Sequence, residues 1–458
     1  MPAVNLPANH PARETYAKGM SLLEQGTINE AEAAFRQALA LSPDFPDALL
    51  CLGHCLHLRS AYDEALALYD RLVTGEPGSV AGWNNRGNTL LAMSRFNEAI
   101  QSYRQTLALI PSLHDARVAL ATCYQAVGEY TLALAECETV LRAVPDHAEA
   151  HWNRSLLLLL EGDYHNGWRE YEWRWRKRDF TSPRRDFLQP QWQGENPAGK
   201  TVLIHAEQGF GDTLQFCRYA PMVAALGAEV IFECHPPLAP LMETLHERVQ
   251  VIPMGLPLPP FDLHVPLLSL SMIFGTTVET VPARTPYLSP PPGRLPLWQA
   301  LVPQSNTLKV GICWAGKAYP DSRRSCSPEQ FAPLAAIPGV SLYSLQVGWD
   351  CQNLPPNFFK DVTTHLRDFA DTAALISRLD LVISVDTAVA HLAGALGKKT
   401  FVLLPFVPDW RWLHDRPDSP WYPTMRLFRQ TARQSWDEVI RQVTAEIAGL
   451  AANRQVPL

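Results

Sequence analysis

The chain has 458 residues, 47% of them apolar and 19% charged, with a formal charge of −7. That length fits two to four domains of ordinary size, and the composition is that of a globular protein, not a disordered or fibrous one. The acidic balance points away from nucleic acid, no apolar run approaches the roughly 18 residues of a membrane span, and the start, MPAVNLPANHPARETY, lacks the basic and apolar regions of a signal peptide. Nine cysteines, an odd number with no CxxC pair, read as free thiols in a reducing cytoplasm. Cys51 and Cys55 share a helix face, but the pattern offers them no companion pair and no metal site is expected there.

Pro43, Pro77, Pro111 and Pro145 recur at intervals of 34 residues. On that register Gly19, Gly53 and Gly87 align with Ala121, and Ala31, Ala65, Ala99 and Ala133 form a second column. Phe35, Tyr69 and Tyr103 form a third, in which the fourth unit has Cys137. These columns resemble the tetratricopeptide repeat. Small residues let the two helices of a hairpin approach, the aromatic is expected to fill the gap to the next hairpin, and proline ends the second helix. A repeat of this kind buries its face only against neighbours, so the four units predict an α-solenoid with a concave groove suited to a peptide or protein segment. An array that only stabilises or dimerises the protein has the same pattern, and a homodimer through exposed repeat faces stays open.

A fifth unit opens near Ala148, but its second helix departs from the pattern. Tyr164, Trp168, Tyr171 and Trp175 step by four, three and four residues, which places them on one helix face. A terminal repeat must cover the open end of a solenoid, so this stripe is expected to dock on the next domain. The repeat domain with its aromatic capping helix is placed at 1–178 and a linker at 179–199. Arg169, Arg174, Arg176, Lys177, Arg178, Arg184 and Arg185 are interleaved with the aromatics. A basic, aromatic run suits nucleic acid, but Glu170, Glu172, Asp179 and Asp186 dilute the charge, and an interdomain seam uses the same residues.

From about residue 200, short β-rich runs (TVLIHA, AEVIFECH, VQVIP, DLHVPL) alternate with helical or loop segments. A proline-rich stretch, PARTPYLSPPPGRLP at 282–296, separates them from a second series, KVGICWAG, VSLYSLQV, LDLVISVD and TFVLLP. Two consecutive α/β units, 200–296 and 297–458, predict paired Rossmann-like domains facing a cleft, with ligands at the carboxyl ends of the strands.

Three loops at those ends carry chemistry. In HAEQGFGDTLQF, Gly209 and Gly211 follow a strand as in a dinucleotide-binding loop, but Leu214 stands where the third glycine belongs and the fingerprint fails. What remains is a close-approach turn that presents Asp212 at a helix start, where the helix dipole favours a carboxylate. An ordinary helix cap has the same form. In LVISVDTAVAHLAGALGKKTFVLLP, the strand ends at Asp386 and Thr387 opens a helix whose free amides make a seat for phosphate. His391 lies one turn in, as a ligand or as a structural group. In VGICWAGKAYPDSRRSCSPEQF, a strand runs into Gly316 and a basic segment. Its Lys317, Arg323, Arg324 and Ser325 suit a diphosphate, or are simply solvated.

QGFGD after the first strand, WAG with a following RS, and DTAVAHLAGALG together resemble glycosyltransferase family 9, which includes the heptosyltransferases. Joined to the repeats and the GWREYEWRW bridge, essentially the whole chain resembles the bacterial tetratricopeptide-containing glycosyltransferases. The resemblance implies a GT-B fold, with the acceptor mainly on the first Rossmann-like domain and a nucleotide-sugar mainly on the second. It implies Asp212 as the general base on an acceptor hydroxyl, with the glycine turn letting acceptor and donor sugar approach it. It implies contact of Asp386, Thr387 and His391 with the donor sugar and its phosphates. Arg324 and Lys317 then become the cations on the leaving diphosphate, and Gly209, Gly211, Gly316 and Ser325 shape the donor site. Lys317 stands where the family more usually has a polar residue. A nucleotide-sugar co-substrate with no further cofactor and no metal is expected. DFAD at 368–371 and PFVPDWRW at 405–412 are candidates for specificity, the latter through Asp409, Trp410 and Trp412. Either indole could stack on a base or sugar, or lie buried against the aromatic bridge. The expected acceptor is a protein held by the repeats, such as flagellin or another bacterial surface protein. A lipopolysaccharide or glycan acceptor and a non-catalytic scaffold are the alternatives.

Overall fold

The computed structural model describes residues 6–7, 9–317, 322–349, 354–355, 358–433 and 435–455. The chain divides into two compact units, Met1–Leu157 and Leu158–Leu458.

The first unit is built from helical hairpins: Pro11–Glu24 with Ile28–Leu41, Pro46–Leu58 with Tyr62–Gly75, Val80–Ala92 with Phe96–Leu109, and His114–Ala126 with Tyr130–Ala143. Each second helix stops two residues before one of the four periodic prolines, because the residue before proline is pushed out of the helical region. The glycine and aromatic columns meet inside each hairpin. A Cβ added at Gly19 would lie 2.6 Å from the Phe35 ring, at Gly53 2.7 Å from Tyr69, and at Gly87 2.8 Å from Tyr103. The ring fills the space left by the glycine opposite, and Phe35 shares a core cluster with Leu52 and Leu56 of the next hairpin, as Tyr103 does with Leu120 and Cys123. In the fourth unit both columns change together, Ala121 gaining the methyl and Cys137 giving up the ring, and both are buried. Gly53→Ala is therefore expected to destabilise the repeats by about 1–3 kcal/mol through overpacking. In a Tyr69→Cys background the same methyl should cost far less, a non-additivity that urea unfolding of the four proteins reads directly.

The second unit holds two parallel sheets. The first contains β1 (Thr201–His205), β2 (Glu229–Cys234), β3 (Val249–Pro253) and β4 (Leu263–Pro266) in the order β3-β2-β1-β4. The second contains β5 (Leu308–Cys313), β6 (Val340–Ser344), β7 (Leu381–Val385), β8 (Thr400–Leu404) and β9 (Met425–Arg429) in the order β6-β5-β7-β8-β9. Every residue of β5, β7 and β8 is buried, as expected of strands covered on both faces and written mostly in apolar residues, with Lys309, Ser384 and Thr400 the polar ones. Strand order reverses between β1 and β4 and between β5 and β7, so the loops after β1, β5 and β7 open at the two switch points.

Two expected boundaries shift. The stretch 179–199 is not a free linker: Gln191 bridges to His264 of β4, and the Trp192 amide donates to the His264 carbonyl at 2.8 Å, extending the sheet edge. The aromatic helix Tyr164–Tyr171 groups with the α/β unit instead of ending the repeat domain at 178. The physical reason is that Trp168 donates its indole N–H to the Thr276 carbonyl at 3.0 Å. It also lies edge-on to Trp410, Phe216 and Trp421, with centroids at 5.2, 6.2 and 6.4 Å. The eight described cysteines are free thiols, and Cys351 lies outside the described residues. Among the described residues no helix is long and apolar enough to cross a membrane.

Candidate active site

The loop after β1 is held from behind before it presents anything to the cleft. Arg174, fully buried, makes a two-pronged ion pair with Glu207, Nε to Oε2 and Nη2 to Oε1, both at 2.8 Å. It also donates to Glu172 at 2.7 Å and to Ser269 at 2.9 Å. Gln208 comes next, with φ of 60°, a left-handed conformation that costs a non-glycine residue energy and persists only when its surroundings impose it. Here the Gln208 amide donates to Ser182 Oγ at 2.8 Å and its side chain to the Tyr171 hydroxyl at 3.0 Å. Of the basic run read from the sequence, Arg174 and Arg185 turn to buried partners, Arg185 pairing with Glu233 at 2.7 Å; Lys177 pairs with Asp179 at the surface, and Arg169, Arg176, Arg178 and Arg184 are exposed.

The helix Phe210–Phe216 starts at this loop. Asp212 does what a helix cap does with one oxygen, accepting the Gly209 N–H on Oδ2 at 2.8 Å. Its other oxygen, Oδ1, pairs with Arg411 Nη2 of the second sheet's half. Gly211 serves an approach different from the expected one. A Cβ there would lie 3.0 Å from the His391 ring and 3.7 Å from Ala388 Cα, so the glycine admits the start of the helix after β7.

That helix, Ala388–Ala395, has Thr387 as its N-cap residue without a side-chain cap. The Thr387 hydroxyl instead shares a hydrogen bond with Ser384 at 2.9 Å, which leaves the amides of Ala388 and Val389 without acceptors among the described residues. Asp386 stands just before it. Burial first, then the charge of neighbouring Asp409, push its carboxyl up to about 6, against the opposing pull of Arg324 and Arg411. His391 is 4% exposed. It stacks on Trp412 with centroids at 5.3 Å, hydrogen-bonds Tyr422 at 3.0 Å through Nδ1, and has Nε2 3.9 Å from Asp386. Burial, reinforced by Arg411, Arg218 and Arg324, holds this imidazole well below its ordinary value of 6.5 and therefore neutral.

In the loop after β5, the Arg324 guanidinium lies over Gly316, where a Cβ would come within 2.7 Å of its Nε. Nη2 donates to the Lys317 carbonyl at 3.2 Å, while Nε is buried with no hydrogen-bond partner among the described residues. Ser325 Oγ accepts the Gly316 amide at 3.1 Å and so braces the turn. The Lys317 ammonium stands 5.9 Å from the ring of Phe210, next to the Asp212 turn. The loops after β1, β5 and β7 therefore meet at one cleft, with Asp212 on one side and the uncapped helix start, Arg324 and Lys317 on the other.

Neither Trp410 nor Trp412 offers a face for stacking. Trp410 is 3% exposed, edge-on to Trp168 and Tyr171, with Arg411 over its ring at 4.2 Å. Trp412 is fully buried under His391. Of the two sequence readings, burial against the aromatic bridge holds for Trp410. Asp409 accepts from the Arg411 backbone and side chain at 3.0 and 2.8 Å. DFAD is a brace for the second sheet: Asp371, fully buried, accepts from Arg294, Arg367 and Trp298, and Asp368 caps its helix.

Sequence reasoning missed two further groups. Arg218, buried, donates to the carbonyls of Gln215, Pro282 and Trp421 at 2.8, 3.0 and 2.9 Å and to the Tyr287 hydroxyl at 2.8 Å, tying the two halves at the back of the cleft. His235, just past the end of β2, sits 5.1 Å from the Phe210 ring and 3.2 Å from the Thr213 hydroxyl. Its signal was a histidine at the carboxyl end of a strand, the place where ligands bind in such sheets.

The raised Asp386 carboxyl gives a pH signature. Its contribution to stability is complete below its ordinary value of 3.8 and is lost as pH rises through about 6. Asp386→Asn removes the titration, so its stability relative to the unmutated protein is expected to rise between pH 4 and 7 by about 1–3 kcal/mol. Thermal melts of both proteins across that range check this; parallel curves would contradict it.

Comparison with known proteins fits this layout. Residues 16–80 and 90–157 match tetratricopeptide repeat families, and residues 363–404 match glycosyltransferase family 9 (heptosyltransferase). The family 9 match takes in β7, Asp386, Thr387 and His391, not the Asp212 loop. Protein FlbA of Caulobacter vibrioides is 28% identical over 444 residues, 90% of this chain and 74% of its own. The inactive TPR repeat-containing thioredoxin TTL3 of Arabidopsis thaliana is 34% identical over 84 residues, 18% of this chain and 12% of its own. A crystal structure of MamA aligns over 34% of this chain and 91% of its own, at 19% identity and a TM-score of 0.33. The chain carries tetratricopeptide repeats in its N-terminal part and a glycosyltransferase family 9 segment in its C-terminal part.

Proposed function

We propose that this chain, which joins tetratricopeptide repeats to a glycosyltransferase family 9 segment, moves a sugar from a nucleotide-sugar donor to a hydroxyl acceptor, and that the acceptor is a protein recruited by the repeats. The observation that carries the reading is the meeting of Gly211, beside Asp212, with His391 and Ala388 at the uncapped helix start of the second half. A proton acceptor and an anion seat face each other across one cleft. Asp212 takes the proton of the acceptor hydroxyl as that oxygen forms its bond to the anomeric carbon of the sugar. The bond from that carbon to the diphosphate breaks, and the charge that develops on the departing phosphate falls to the Ala388 and Val389 amides, Arg324 and Lys317. Donor and acceptor would then occupy the second and first Rossmann-like halves, as in a GT-B enzyme.

The repeats favour a protein acceptor, since an array of stacked hairpins presents an extended surface for a polypeptide. The description of the matched family, heptosyltransferase, supports a second reading in which the acceptor is a lipopolysaccharide or other glycan. The test is to incubate the purified chain with a panel of nucleotide-sugars and either bacterial surface proteins or lipopolysaccharide cores, and to track nucleoside diphosphate release and intact mass. Transfer to protein supports the first reading and transfer to glycan the second. Nucleotide binding with no release on any acceptor would instead support a scaffold.

A further inference from the structure

Arg411 is set in place more firmly than a surface cation needs to be. It is 8% exposed, its guanidinium lies 4.2 Å from the centroid of the Trp410 ring, and Trp410 is wedged among Trp168, Tyr171 and Phe216. Nη1 and the backbone amide both converge on Asp409 Oδ1, at 2.8 and 3.0 Å. With stem, stack and fork fixed, the remaining arm, Nη2, reaches across the cleft to Asp212 Oδ1.

The opposite oxygen of Asp212 is held by its own half, through the Gly209 amide at 2.8 Å. The carboxylate is therefore pinned from both halves of the cleft. Each of its oxygens keeps a further lone pair for a hydroxyl, and Asp409 shares the cation. The contact orients Asp212 without taking it out of use.

We propose that Arg411 is a positioning residue for Asp212, registering the base of the first half against the phosphate seat of the second. The role rests on the reading of Asp212 as the base in glycosyl transfer. Arg411 comes from the segment after β8, and the seat from the segment after β7, the neighbouring strand of the same sheet. A base tied to Arg411 thus keeps a fixed distance to the departing phosphate. Misplacement of a reacting group by about 1 Å can cost on the order of 100-fold in rate, which sets the size of the effect.

The experiment uses the full chain as Arg411→Gln, Arg411→Lys, Asp212→Asn and the double variant Asp212→Asn/Arg411→Gln. It measures kcat, KM for the donor, nucleoside diphosphate binding and urea midpoints. Arg411→Gln is expected to lower kcat by about 10- to 100-fold with donor KM and diphosphate binding within twofold of the unmutated protein. Arg411→Lys, which keeps the charge but not the fork, should recover part of the rate. The urea midpoint of the double variant should fall by less than the sum of the single shifts. Should Arg411→Gln not fold, the kcat loss of Arg411→Lys at unchanged KM carries the same test. An unchanged kcat, additive midpoints, or a kcat loss accompanied by a tenfold weaker diphosphate overturns the proposal, the last by making Arg411 a donor ligand. An inactive Asp212→Asn beside a fully active Arg411→Gln overturns the role of Arg411 alone. A fully active Asp212→Asn overturns the glycosyl-transfer reading and the role of Arg411 with it.

Discussion

Asp212→Asn is expected to lower sugar transfer by about 100- to 10,000-fold while nucleoside diphosphate binding stays within twofold. The amide has the volume of the carboxylate and an oxygen that still accepts the Gly209 N–H, so the helix start keeps its cap. Arg411 keeps Asp409 as its partner, so no buried cation is stranded. The phosphate seat belongs to other residues, Thr387 to Val389, Arg324 and Lys317, none of which takes part in that cap. What the substitution removes is the proton acceptor. Initial rates with the donor that supports turnover, beside calorimetric binding of its diphosphate, separate the two effects. Equal losses in rate and binding would make Asp212 a structural group.

Arg174→Met carries the largest expected cost in stability, about 3–5 kcal/mol for the α/β unit. The reason is the orphan it leaves. Glu207 is 3% exposed, and without the arginine its carboxylate keeps the Leu268 amide at 3.2 Å as a hydrogen-bond donor in a buried site. The double variant Arg174→Met/Glu207→Leu removes both charges and should lie much closer to the unmutated protein, since replacing a buried ion pair by apolar groups is often nearly neutral. Urea unfolding of the two single variants and the double variant tests this; a double variant as unstable as Arg174→Met would contradict it. Because Glu207 immediately precedes Gln208 and Gly209, Arg174→Met should also disturb the turn that presents Asp212.

The contrast between these two residues shows what the sequence makes legible. Asp212, Asp386, Thr387, Lys317 and Arg324 could be put forward as candidates because each lies in a segment that follows a strand, where local pattern places a loop. The repeats were legible for a similar reason: a proline that ends a helix and a glycine that faces a ring act within one hairpin and recur at a fixed period. Arg174 and Glu207 are 33 residues apart, and a basic run around the arginine reads as a solvated face. Arg218 binds three carbonyls and a hydroxyl, so no acidic partner in the sequence betrays it. Trp410 and Trp412, two residues apart, were open between stacking and burial. Which one applies depends on Trp168 and His391, which are distant in the chain. Even within the repeats, Ser60 and Ser94 take the left-handed turn that Gly26 and Gly128 occupy at the same 34-residue period, and serine carries no mark of that conformation.

The most direct measurement is titration calorimetry of the folded chain against UDP, GDP, ADP and CMP, repeated with Arg324→Ala. Arg324 lies over Gly316 with its buried Nε unpartnered among the described residues and contributes to the field at Asp386 and His391. One nucleotide is expected to bind selectively, and Arg324→Ala to weaken it by at least about tenfold, the loss of one charge-assisted contact. A folded chain that binds none of the four, or binds one equally well without Arg324, would contradict a donor site at this cleft.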